Sequence, residues 1–183
     1  MKDYRGIVSL STFALLVAGY LVIPATTKAS EARDSAQINQ LLAEAKAEAI
    51  QLRDDSGDMD SFVRSRPSWE SYAGKVEMIK GHVNNTGKLL ARLRDAEATG
   101  SPWQQAAINR IEPLLKELAA NTEGTINHLN ENRSRIHFTE FKNYVKANYE
   151  LATDLEALIR DFVNYGEAKQ KLDRLAEKLE ITG

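Results

Sequence analysis

Histidine has the widest chemical range of the side chains here, and the chain has three: His82, His128 and His137. A metal centre in a helical bundle draws Glu-x-x-His pairs and further carboxylates from facing helices. No Glu-x-x-His occurs. Glu77 and Glu123 each precede a histidine by five residues, which turns the two side chains to different helix faces. His137 and Glu140 stand in the reverse order. The histidines are therefore expected at the surface or at helix ends, with no metal. Asp54, Asp55, Asp58 and Asp60 form the densest acidic run. They lack the ligand order of a calcium loop and its closing Glu, so a solvated loop is expected there. No Gly-x-Ser-x-Gly elbow and no Gly-rich phosphate loop is present. Without cysteine there is no disulfide, thiolate metal site or cysteine nucleophile. The expectation is a protein that is not an enzyme and carries no cofactor.

The elements that must position these residues are helices. Four prolines and ten glycines in 183 residues are few, and Leu, Ala, Glu, Lys and Arg are abundant. A first helix is expected from Ser30 to Asp54, with Ile38, Leu41, Leu42, Ala45, Ala49 and Leu52 inward. A second starts at Ser68, after Pro67, and its seam is Trp69, Tyr72, Val76, Ile79, Val83, Thr86, Leu90 and Leu93. Gly81, Asn84, Asn85 and Gly87 weaken its centre, where tight packing is expected. Gly100 stops it, Ser101 caps a third helix, and Pro102 occupies the first turn, where its missing N–H costs nothing. That helix runs to Asn132 with Ile108, Ile111, Leu115, Leu118, Thr122, Thr125 and Leu129 inward, and Pro113 should bend it. After a link from Arg133 to His137, Thr139 caps a long fourth helix. Its seam is Phe141, Tyr144, Asn148, Leu151, Leu155, Leu158, Phe162, Tyr165, Leu172, Ala176 and Leu179. No strand is expected. The fold class is all-α, an antiparallel up-down-up-down four-helix bundle with a long C-terminal helix, preceded by an N-terminal hydrophobic segment.

In such a bundle, residues equidistant from a turn meet. That places Thr122 opposite Asn148, as a hydrogen-bonded polar pair that fixes register. The fourth helix, longer than its neighbours, either overhangs over about Lys169 to Leu179 or breaks near Gly166. An overhang would be covered by the start of the first helix. Aromatics gather at the two ends: Trp69, Tyr72, Phe138, Phe141 and Tyr144 at one, Trp103, Phe162 and Tyr165 at the other. They are expected as core plugs.

Met1 to Gly6 carries Lys2 and Arg5, Ile7 to Ile23 is uncharged, and Pro24 follows. Thr27 and Ala29 are small residues at the −3 and −1 positions of a cleavage site before Ser30. Residues 1–29 are thus expected as a signal peptide, or as a membrane anchor through residues 7–23, ahead of an extracytoplasmic bundle over 30–183. The net charge of −2 and the absence of a basic stripe argue against nucleic acid. Arg64, Arg66, Lys75, Lys80, Lys88, Arg92 and Arg94 are expected on a solvated face.

The expected architecture resembles the cytochrome b562 family. That resemblance would imply haem held between a Met near the start of the first helix and a His late in the fourth. The expected first helix has no Met, and the fourth has no His after His137, so the resemblance stops at the fold. The leading expectation is a periplasmic or secreted bundle, or a membrane-tethered one, that acts by contact with a protein partner. The seams would serve a homodimer as well as a closed monomer. One alternative is a small-ligand or cofactor carrier with a pocket near Gly81, Thr86, Gly87, Gly124 and Thr125. Another is a sensor module that resembles the ligand-binding bundles of chemoreceptors.

Overall fold

A computed structural model describes residues 33–133 and 139–180 of the chain. The N-terminal segment 1–29, Ser30 and the link that includes His137 and Phe138 lie outside the described residues. The protein is all-helical, and its four helices pack against one another. They are α1 (Ala36–Phe62), α2 (Trp69–Ala96), α3 (Pro102–Glu131) and α4 (Thr139–Lys178). α1 and α3 each pack on both α2 and α4, which closes the four around one core. No helix among the described residues is long and apolar enough to cross a membrane.

Local chemistry sets the helix starts. Ser35 caps α1 by accepting the Ile38 N–H, and Ser68 caps α2 by accepting the Ser71 N–H. At α3 the Ser101 N–H donates to Gln104 Oε1 at 3.0 Å, and Pro102 opens the helix. α1 therefore starts at Ala36, six residues later than the expected Ser30. α2 ends at Ala96 in a short 3-10 turn, Glu97–Thr99, ahead of Gly100. α4 is described from Thr139 on, and the link that precedes this expected cap lies outside the described residues.

The largest departure lies at the aspartate run. α1 does not stop at Asp54 but continues through Asp54, Asp55 and Asp58 to Phe62, for 27 residues. Tertiary contacts outweigh the local turn preference. Ser56 and Met59 are fully buried, and Gly57 lets the Tyr149 ring approach to 3.0 Å of where a Cβ would stand. The extension also brings a methionine, Met59, into α1. The turn into α2 then passes through Arg66 at φ 52°, just before Pro67.

The expected inward residues of α1 and α3 are all buried. In α2, Leu89 is buried and Leu90 lies beside the core. In the middle of that helix nothing stands within 4 Å of a Cβ built at Gly81 or Gly87, so these glycines are not sites of tight packing. α4 is continuous through Gly166 for 40 residues, about 60 Å at 1.5 Å per residue. It buries Phe141, Val145, Asn148, Ala152, Leu155, Glu156, Ile159, Val163 and Gly166. Of the expected seam only Phe141, Asn148 and Leu155 are among them. Leu151, Leu158 and Phe162 flank the core, and Tyr165, Leu172 and Leu179 are exposed. The reason is geometric: a strict 3.5-residue repeat slips by about 20° per heptad around a straight helix, so a seam that starts inward ends at the side.

Candidate functional site

The polar residues of the seams meet in the core. Thr122 Oγ1 donates to Asn148 Oδ1 at 2.9 Å, and both residues are buried. Asn148 Nδ2 donates in turn to Thr125 Oγ1 at 2.9 Å, which the pairing argument missed. Thr125 Oγ1 donates to the Asn121 carbonyl, and Thr122 Oγ1 also lies 2.8 Å from that of Leu118. α3 thus offers two hydroxyls one turn apart, and α4 offers a single amide that bridges them.

A second amide works at one end of the bundle. Gln104 is fully buried, and its Oε1 accepts the N–H groups of Ser35 and Ser101 at 2.9 and 3.0 Å. Its Nε2 donates to the Ser35 carbonyl and to Asn39 Oδ1. Beside it Trp103 Nε1 donates to Asp34 Oδ1 at 2.8 Å, and Lys169 of α4 pairs with the same carboxylate at 3.6 Å. The Ser-x-x-Gln spacing signals the cap in sequence; the cross-helix bonds leave no such trace.

The histidines serve separate surroundings. His82 stands between two α1 carboxylates, with Nδ1 2.8 Å from Glu48 and Nε2 3.3 Å from Asp55. His128 stacks on Phe141 with centroids 5.9 Å apart and tilts against Tyr144. His137 lies outside the described residues. No group of three or more His, Cys, Asp or Glu among the described residues is placed to hold a metal.

The aspartates expected in a solvated loop each face a basic side chain. Asp54 pairs with Arg53, Asp55 meets His82, Asp58 pairs with Lys75, and Asp60 pairs with Arg64. Much of the basic face is balanced in the same way, Lys80 by Glu77, Arg92 by Glu44, and Arg94 by Glu97 and Glu112. Hydrogen bonds from Lys116 and then Arg94 hold the Glu112 carboxyl below its ordinary range. Burial raises the Tyr72 phenol. Glu156, only 3 % exposed, is held by Arg53 of α1 at 3.3 Å and by Arg160 at 2.9 Å. Sequence reasoning missed it, because Glu156 and Arg160 at i, i+4 read as an ordinary surface pair.

The residues of the expected carrier pocket have separate environments. Gly81 is exposed, Gly87 is open, and Thr86 donates to the His82 carbonyl of its own helix. Gly124 packs on Tyr144, and Thr125 is engaged by Asn148. Of the described aromatics, Tyr72, Phe141, Trp69 and Trp103 pack at the ends, whereas Tyr165 is exposed. Tyr72 meets Phe141 edge-on at 5.0 Å, and Trp69 Nε1 donates to the Leu129 carbonyl under the Arg133 guanidinium. At the other end Trp103 meets Tyr165 at 5.4 Å and fills the notch at Gly166. Phe138 lies outside the described residues.

Among the described residues, α4 runs on alone beyond that notch. Residues 170–180 are exposed apart from half-buried Ala176; the described start of α1 stands level with Trp103 and Lys169, and the expected cover from Ser30 onward lies outside the described residues. Tyr165 is 53 % exposed, Leu172 66 %, Leu175 46 % and Leu179 63 %. Comparison of the chain with protein-family models, curated proteins and solved structures finds no match.

Proposed function

We propose that this is a non-enzymatic, extracytoplasmic helical bundle that acts by contact with a protein partner. In this reading residues 1–29 export the chain or tether it through residues 7–23, and the bundle is built up-down-up-down. Partner numbers that run in opposite directions across three helix pairs support that topology. Arg92 meets Glu44 while His82 meets Asp55 across α1 and α2. Trp69 meets Leu129 while Arg94 meets Asn109 across α2 and α3. Lys46 meets Asn164 while Arg53 meets Glu156 across α1 and α4.

One observation carries the contact reading: of the six large apolar side chains that stand exposed among the described residues, four (Tyr165, Leu172, Leu175 and Leu179) lie on the last turns of α4. A contiguous apolar patch is a recurrent mark of an interaction site. The test is photo-crosslinking in the native cell envelope from a reactive residue at Leu172 or Leu175, with Met78 as the control position. The same preparation gives the intact mass and absorbance spectrum. Discrete adducts from α4 alone, with no visible band, are expected. A mass that begins at Ser30 means export, and a full-length mass means tethering. A visible chromophore or a bound small molecule would overturn the contact reading in favour of a carrier.

A further inference from the structure

The exposed face at the end of α4 has a definite pattern. Tyr165, Leu172 and Leu179 are spaced by seven, with Ala168 and Leu175 between them, so they occupy a and d of a heptad. At about 100° per residue this stripe lies roughly 150° around the helix from the line that α4 buries between Phe141 and Gly166. The drifting seam has therefore left the core line here and presents its apolar side chains to solvent. A 3.5-residue repeat of apolar side chains fits another helix, because knobs-into-holes packing is what keeps such a seam in register.

The flanks select the partner. The e positions are Lys169 and Ala176, and the g positions are Lys171 and Lys178. Lys169 is engaged by Asp34 and Asp173. Lys171 and Lys178 are exposed, and neither has an ion pair among the described residues. The acids of the same stretch, Glu167, Asp173, Glu177 and Glu180, fall at b, c and f, away from the seam. A second copy gains nothing from this pattern: an antiparallel pair sets lysine against lysine, and a parallel pair sets Lys171 against Ala176. A lipid surface is no better matched. Residues 167–180 carry as many acids as bases, whereas helices that lie on membranes have a polar face rich in Lys and Arg. Charge complementarity is left with an acidic neighbour on the lysine side.

We infer that the last turns of α4, from Tyr165 to Leu179, dock an amphipathic partner helix whose apolar heptad seam is flanked by acidic residues. This inference rests on the contact reading and narrows it. Its test uses the purified full chain and two labelled three-heptad peptides. Both have Leu at a and d; one has Glu at e and g, the other Lys. Anisotropy titration should show the Glu peptide binding about ten-fold or more tightly than the Lys peptide, with the difference shrinking at high salt. Leu172→Lys and Leu175→Lys should each weaken the Glu peptide by about ten-fold, and Met78→Lys should leave it unchanged. These positions are exposed, and a melting curve for each variant separates lost binding from lost folding. Equal binding of the two peptides, or none, overturns the inference. So does a dimer of the chain that Leu172→Lys dissolves, or co-sedimentation with phosphatidylglycerol vesicles through the same leucines. None of these results bears on the contact reading itself, which falls on crosslinking and absorbance.

Discussion

Asn148 shows how much one buried amide can settle. Its two ends face two hydroxyls, and the consequences of removing either side differ. In Asn148→Leu both threonines keep the carbonyls of Leu118 and Asn121 as acceptors, so no donor is stranded. The melting temperature should hold or rise. Thr125→Val instead strands the Asn148 N–H in the core, at a cost of about 1–3 kcal/mol. Denaturant melts of the two variants check the order; a large loss in Asn148→Leu would mean that the network does more than set register. The Thr122–Asn148 pair was legible because both residues interrupt apolar seams at positions that the turns bring level. Thr125 was equally visible as a seam residue, but spacing alone cannot tell which hydroxyl meets which end of an amide. Gln104 and Glu156 were not legible, since each makes its deciding bonds to residues far away in the chain.

At the scale of elements, local preference and tertiary contact compete, and the glycines separate them. Gly81 and Gly87 sit in the middle of α2 with open space where a methyl would go. Alanine at either should stabilise the protein by about 0.5–1 kcal/mol. A Cβ at Gly166 would stand 2.7 Å from Trp103 Cη2, inside a rigid ring, so Gly166→Ala should cost about 1–3 kcal/mol. Thermal melts of the three variants read the contrast directly; equal effects would mean that helix propensity alone governs these sites. The same competition explains which boundaries were readable. The Ser68 and Ser101 starts carry their own caps and were legible. The end of α1 was not, because the signals at Asp54 to Asp58 are outweighed by the burial of Ser56 and Met59 and by basic partners on α2. The long seam of α4 was legible as a helix, yet its heptad period concealed that it serves the core at one end and solvent at the other.

For the whole molecule, the bundle and the free end of α4 should be separable. Truncation after Gln170 keeps the Trp103 contacts at Tyr165 and Gly166 and the Asp34–Lys169 pair, and removes mainly exposed residues. Its melting temperature should fall within about 3 °C of the full chain, about what 1 kcal/mol shifts in a domain of this size. A much larger drop in circular-dichroism melts would place the extension inside the folding unit. The opposite behaviour belongs to the end held by Gln104. Helix ends ordinarily fray one at a time, each on its own cap. Here a single carboxamide holds the first turn of α1 and the first turn of α3 together, so neither can loosen without releasing the other. Amide hydrogens of the two turns should exchange with deuterium through one shared opening, at matched rates. Gln104→Ala should uncouple them and speed both. The start of the fold would then behave as a latch with one bolt, closed or open as a unit.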